Sequence, residues 1–276
     1  MSQADRIFID MCRDILANGT SSEGTPVRPR WEDGSTAHTI KKFGVVNRYD
    51  LGREFPALTQ RPVPFRNAVD EMLWIWQKKS NDVNELGSRI WDAWADGSGS
   101  IGKAYGYQLR QKHRYAEGMF DQVDRILYDL KNNPGSRRIL ANMYNHSDLS
   151  EMSLYPCAYS LTLNVEKDRL HAILNQRSQD VLVANGWNIC QYAVLVHLFA
   201  HVSGLRAGEL LHVIADAHIY DRHVPLVLEL IERPVFPAPV FRMNLEKTDF
   251  YSFTPEDFSL EGYRAGKQVR QIPVAV

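Results

Sequence analysis

The chain has 276 residues, 44% apolar and 24% charged, with a formal net charge of −1. That length supports a substantial core in one large domain or two small ones, and the near-neutral balance excludes a basic excess of the kind that draws a long nucleic acid or an anionic membrane. Three scattered cysteines, Cys12, Cys157 and Cys190, make neither a disulfide framework nor a zinc cluster; with no apolar run near the ~20 residues of a membrane span and no signal-peptide core, a reduced cytoplasmic protein is expected.

In chain order, residues 3–18 place Ile7, Met11, Ile15 and Leu16 at helical spacing, with Gly19 as the stop. A polar, Gly/Pro-rich stretch over 19–38 carries Arg28, Arg30 and Trp31, and residues 40–60 read as strands. Residues 66–79 predict an aromatic-rich helix with Val69, Leu73 and Trp76 on one face; Met72 and Trp74 widen the apolar surface, so burial on more than one side is expected. A further helix over 122–130 is closed by Asn-Asn-Pro-Gly at 132–135. Segments 160–165 and 170–176 alternate in period two around Glu166-Lys167-Asp168, the pattern of a hairpin. Residues 188–202 are almost wholly apolar and predict a long buried helix capped by Gly204. Residues 208–218 and 240–243 read as strands, and 223–232 as a helix ended by Pro234. Mixed α+β around one main sheet follows, as a single domain over 1–276.

Four local features could carry chemistry, each with a plainer reading beside it. Cys157, in Tyr155-Pro156-Cys157, is a candidate nucleophile, although a lone cysteine is more often a small core residue. Gln176-Arg177-Ser178-Gln179-Asp180 follows the hairpin and reads equally as a solvated turn. Ser136-Arg137-Arg138 suits a phosphate, whose oxygens match guanidinium forks, yet surface arginines are common. His218-Ile219-Tyr220 ends a strand, where it could bind a sugar hydroxyl or only cap the sheet.

Taken together and in order, EMLWIWQKKSNDVN (71–84), IWDAW (90–94), Tyr105-Gly106, LKNNPGSRR (130–138), YPC (155–157), QRSQD (176–180), Asn188, DAHIY (216–220) and the closing PVAV resemble the thymidylate synthase family over essentially the whole chain. The resemblance implies an α+β fold of that family's type: a bent mixed β-sheet flanked by helices, with a homodimer formed through the sheet. It implies a dUMP-type nucleotide and 5,10-methylenetetrahydrofolate as substrates; with no Gly-rich phosphate loop and no His/Cys spacing for zinc in the sequence, no metal, flavin or nicotinamide is expected. By the same resemblance Cys157 is the nucleophile that attacks C6 of the pyrimidine, with Arg177 favouring its thiolate. Arg28, Gln176, Arg177 and Ser178, with Arg137 and Arg138 donated across the dimer, are expected to hold the nucleotide. Asn188 corresponds to the family's base-reading amide; a carboxamide offers an acceptor for uracil N3–H and a donor for O4, where a carboxylate would suit cytosine. His218 and Tyr220 correspond to the residues on the 3′-hydroxyl. Glu71, through ordered water, corresponds to the acid/base at O4 and C5, with Tyr105 and Asp216 in the same polar network. For the folate, the resemblance assigns Asp180 to the pterin and Ile90, Trp91 and Trp94 to packing beside it. Val183, Ala184 and Trp187 form the adjoining wall, and the Val276 carboxylate closes a lid.

The sequence departs from the family at 183–187, which reads VANGW against a Leu-Gly-x-Pro-Phe pattern, and at Ala215, where a Gly is usual. Arg61 stands where a folate-tail Lys is usual. Added methyls and a Pro-to-Gly change predict a remodelled, looser folate wall. A shift of ~1 Å in a reacting group can slow a step roughly 100-fold and let water compete with hydride. The balance therefore leans toward 5-hydroxymethyl-dUMP as product, with dTMP and dihydrofolate as the alternative and an inactive nucleotide-binding paralogue as a distant third.

Overall fold

The computed structural model describes residues 2–269 and 271–275. Helix α1 (Gln3–Asn18) starts at Ser2, whose hydroxyl accepts from the Asp5 N–H, and buries Phe8, Met11, Cys12 and Ile15 along one stripe. Strand β1 (Thr20–Ser21) then pairs with β2 (Thr39–Asp50). The strand expected over 40–60 stops at Asp50. Beyond the turn at 51–53 the chain runs buried but irregular, and Asp5 supplies what a ladder would otherwise give: its carboxylate accepts from the Thr59 N–H at 2.7 Å and hydroxyl at 2.6 Å.

Helix α2 (Phe65–Trp76) ends three residues before the predicted Lys79. Lys79 takes the left-handed conformation, φ +53°, and its ammonium is buried against Asp121 at 2.5 Å, which turns the chain off the helix axis. There follow α3 (Gly106–Leu109), the small hairpin β3 (His113–Tyr115) and β4 (Gly118–Phe120), α4 (Gln122–Asn132) and β5 (Leu140–Asn142). The predicted hairpin is β6 (Ala158–Glu166) and β7 (Arg169–Gln176), closed by Lys167 at φ +57°. Next are β8 (Gln179–Asp180), α5 (Asn185–Val202), β9 (Arg206–Tyr220), α6 (Val224–Ile231), and a last pair, β10 (Val240–Met243) with β11 (Phe258–Glu261).

The main sheet has the order β1-β2-β9-β7-β6-β5, with β8 also on β9. It is mixed: β7 and β8 run parallel to β9, the remaining pairs antiparallel. Helix α5 is the crossover between the parallel strands. Being apolar on all sides, it is buried on all sides, and Gly204 (φ +72°) turns the chain back toward β9. The parallel ladder is broken at one point. Gln176 pairs with Ile214 and Gln179 with Ala217, the same register, so Arg177 and Ser178 interrupt a strand that otherwise continues; the Arg177 N–H turns instead to the Cys157 carbonyl at 3.0 Å.

Helices α1 and α5 cover one face of the sheet. Across the other, register aligns Leu140, Thr162, Ile173, Leu211 and Arg48 in one row, with Val213 and Val46 beside it. Leu140, Ile173 and Val46 remain 49%, 38% and 56% exposed, an apolar band left uncovered within a single chain.

Candidate active site

The strand interruption brings Arg177 to Cys157. Arg177 Nη2 donates to the Tyr155 carbonyl at 2.7 Å and lies 3.7 Å from Cys157 Sγ, while Nε donates to the Pro156 carbonyl at 3.1 Å. The guanidinium is thus locked by two main-chain acceptors in front of the sulfur. Burial nevertheless pushes the Cys157 thiol above its ordinary pKa of 9.0, and Arg177 is the charge that opposes this. The expectation that the site favours thiolate is therefore corrected: without ligand, desolvation outweighs the arginine.

Below the sulfur lies Tyr105. Its hydroxyl accepts from the Cys157 N–H at 3.1 Å, and its backbone holds φ +46°, a conformation strained for a non-glycine residue. The next residue explains how that turn fits. A Cβ on Gly106 would lie 2.2 Å from the Ser80 carbonyl oxygen, so only glycine lets the 105–106 turn approach the end of α2.

From α2 itself Glu71 points into the same space, 5% exposed. Its two oxygens accept from two indoles, Oε1 from Trp91 Nε1 at 2.9 Å and Oε2 from Trp187 Nε1. Burial pushes its pKa up to about 7, against the pull of both indoles. A carboxyl poised there exchanges a proton near neutral pH. Trp187→Phe keeps an aromatic ring but removes one donor to the charged form. The pH inflection controlled by Glu71 is expected to move upward by about one unit, read from a pH–rate profile.

Cys157, Glu71, Tyr105, Gln176 and Asn188 all line one cavity of about 380 Å³, together with Ile90, Trp91, Trp94, Val183, Ala184 and Trp187. Its walls are largely apolar with a small number of polar groups among them, as in sites that bind a small molecule and fix its orientation. Arg61 closes the rim, donating to the Leu182 and Val183 carbonyls.

A second group of predicted residues clusters at the ends of β8 and β9. The Tyr220 hydroxyl is pushed up to about 12 chiefly by burial, with the charges of Asp180, Arg28, Cys157 and Asp216 as smaller influences. His218 Nδ1 bonds Asp216 Oδ1 at 2.8 Å, and Lys41 pairs with Asp216 at 3.0 Å. The direct partners of Asp216 are therefore His218 and Lys41. Asp180 accepts from the Val183 N–H at 3.0 Å and faces His223 Nδ1 at 3.6 Å. His223 Nε2 in turn lies 2.8 Å from the Pro273 carbonyl, linking the C-terminal tail to the Asp180 loop. Ser178 is half-buried in the strand break. Arg137 and Arg138 are exposed after α4 and are not among the residues lining the cavity. Val276 lies outside the described residues.

Comparison with known proteins agrees with this arrangement. The sequence profile described as thymidylate synthase matches residues 6–276. The thymidylate synthases of Bacillus subtilis subsp. natto and of Bacillus phage phi3T are each 42% identical over 274 residues, covering 98% of this chain and 98% of theirs. The solved structure of thermostable thymidylate synthase A from Bacillus subtilis superposes with a TM-score of 0.94 at 40% identity, covering 99% of both chains. The chain belongs to the thymidylate synthase family.

Within the family frame, the 183–187 loop can be judged by its packing. Gly186 does not loosen a turn. It lies in the first turn of α5, where a Cβ would come 2.8 Å from Leu58 Cδ1 and 3.3 Å from Val63 Cγ2. Ala184 is held by its N–H on the Asp180 carbonyl at 3.0 Å and itself accepts from the Asn188 N–H at 2.8 Å. Trp187 is anchored on Glu71. The loop is a packed helical turn, so the looser folate wall behind the hydroxymethyl expectation is absent, and relatives named thymidylate synthase give that expectation no support.

Gln191, which lines the cavity, and His212, which reaches it only through Gln176, were not singled out from sequence. Signals existed for both. Asn188 and Gln191 are polar residues three apart on a largely apolar helix, hence on one face. His212 shares strand parity with Asp216 and His218.

Proposed function

We propose that this chain converts dUMP and 5,10-methylenetetrahydrofolate to dTMP and dihydrofolate, as one cytoplasmic catalytic domain working in a homodimer. The observation that carries the reading is the convergence of the Cys157 thiol, the Glu71 carboxyl and the Asn188 amide on one apolar cavity, in a chain 42% identical to proteins named thymidylate synthase.

The thiolate of Cys157 adds to C6 of the pyrimidine, and the electron pair displaced to C5 attacks the methylene carbon carried by the folate. Because burial disfavours the free thiolate, the proton must leave as the substrate docks; Arg177 is the cation beside the sulfur that can hold the resulting charge. Asn188 grips N3 and O4 of the uracil, and Glu71, through water, protonates O4 and assists removal of the C5 proton. Elimination of the folate amine leaves an exocyclic methylene at C5. Hydride from the tetrahydrofolate converts it to methyl, and the C6–S bond breaks to return Cys157 thiolate. The apolar wall of Trp91, Trp94 and Trp187 supports this last step, since a dry methylene favours hydride over water.

Arg28, Arg177 and Ser178 serve the nucleotide phosphate, His218 and Tyr220 the sugar, and Asp180 the pterin. The uncovered apolar band on the sheet fits a second copy of the chain, which would bring Arg137 and Arg138 to the site from the partner subunit. Incubation with dUMP and 5,10-methylenetetrahydrofolate is expected to yield dTMP and equimolar dihydrofolate by mass and absorbance. Recovery of 5-hydroxymethyl-dUMP would overturn the hydride step.

A further inference from the structure

His212 is completely buried on β9 and has no part in the proposed methyl transfer. Burial pushes its pKa down to about 3, so the ring is neutral and carries one proton on one nitrogen. Nε2 meets Gln176 Oε1; Nδ1 is buried without a hydrogen-bond partner among the described residues. Gln176 Nε2 then donates to Asn188 Oδ1 at 3.3 Å, and Asn188 Nδ2 donates to Gln191 Oε1 at 3.2 Å. The polar chain His212–Gln176–Asn188–Gln191 therefore runs from β9 into the cavity.

A chain of amides has two possible polarities, and each matches a different base. With the proton on His212 Nε2, Gln176 presents its oxygen to the ring and its NH2 to Asn188, whose oxygen is then an acceptor on that side and whose NH2 points toward Gln191. Each Asn188 group retains capacity for one more bond, acceptor toward N3–H and donor toward O4, which is the uracil pattern. In the reversed chain both Asn188 groups exchange places and the amide matches cytosine, which offers an acceptor at N3 and a donor at N4. Either tautomer leaves Nδ1 without a partner among the described residues; reversal would put the proton there, and an orphaned buried N–H is rarer and costlier than a bare ring nitrogen. The other end agrees. Among the described residues Gln191 Nε2 has no hydrogen-bond partner of good geometry, yet the amide lies close enough to Glu71 to lower its pKa, the side on which NH2 rather than a carbonyl belongs.

We propose that His212, through its single proton on Nε2, fixes the orientation of the Asn188 amide and so is a positioning residue for the choice of uracil over cytosine. This rests on Asn188 being the base reader. The tests are therefore run as a pair, on C5 tritium release and equilibrium binding with dUMP and with dCMP. Asn188→Asp is expected to turn the preference toward dCMP. His212→Leu, which frees Gln176 to rotate, is expected to lower the dUMP-to-dCMP preference in both readouts by about tenfold or more; a smaller change overturns the proposal. If Asn188→Asp shifts the preference and His212→Leu does not, only the role of His212 falls. If neither does, the reading of Asn188 falls first. Should His212→Leu not fold, 15N NMR of the wild-type imidazole decides: protonated Nε2 and bare Nδ1 at neutral pH are expected, and the opposite tautomer overturns the proposal.

Discussion

Replacing Cys157 by alanine is expected to reduce C5 tritium release from dUMP by roughly 10⁴-fold or more, to the level of the buffer. Every later step in the proposed sequence requires the C6–S bond, because only the adduct places an electron pair on C5. No other thiol can substitute: Cys12 and Cys190 are buried, and burial drives both pKa values far upward. The same variant should still bind dUMP, since the phosphate arginines and Asn188 are untouched. A second consequence concerns the free enzyme. With its thiol raised above 9.0, Cys157 should be alkylated slowly at neutral pH and faster as pH rises, despite the adjacent Arg177. Tritium release that survives in Cys157→Ala would remove the covalent mechanism altogether.

Glu71→Gln should cost about 10² to 10⁴ in kcat and abolish the inflection near pH 7 in the pH–rate profile. The same carboxyl makes a prediction for stability, of opposite usefulness. Folding raises its pKa from 4.5 to about 7, so the native state holds this proton more tightly than the unfolded chain. That contribution is complete below about pH 4.5 and is lost as pH rises toward 7, a difference of about 3 kcal/mol. Urea unfolding at pH 5 and pH 8 should show the wild type losing that much relative to Glu71→Gln. Equal pH dependence in the two proteins would mean that Glu71 is not protonated in the way its burial requires. A site that keeps a carboxylate half-ionised in an apolar cavity is destabilised at working pH for the sake of proton transfer.

How much of the fold is legible in the sequence varies with the range of the interactions involved. Helices α1, α4 and α5 and the β6–β7 hairpin follow from local periodicity and caps, because each element's own side chains decide which face is buried. The departures are nonlocal. Lys79 leaves the helix because Asp121 lies across from it, and residues 51–60 leave the sheet because Asp5 binds Thr59 from another element. The short strands β5 and β8 carry too few residues to show a period.

For the site, ordered motifs are enough to name the family and to nominate Cys157, Glu71, Asn188 and the arginines, since chemistry constrains residue type at each position. Tertiary structure decides what those residues experience. The thiol is raised rather than lowered, Asp216 is held by Lys41 and His218, and Gly186 answers a contact with Leu58 rather than a need for a loose turn. His212 illustrates the division most plainly. Its identity and strand parity are local facts, but its significance depends on a nitrogen having no partner among the described residues, which is a property of everything packed around it.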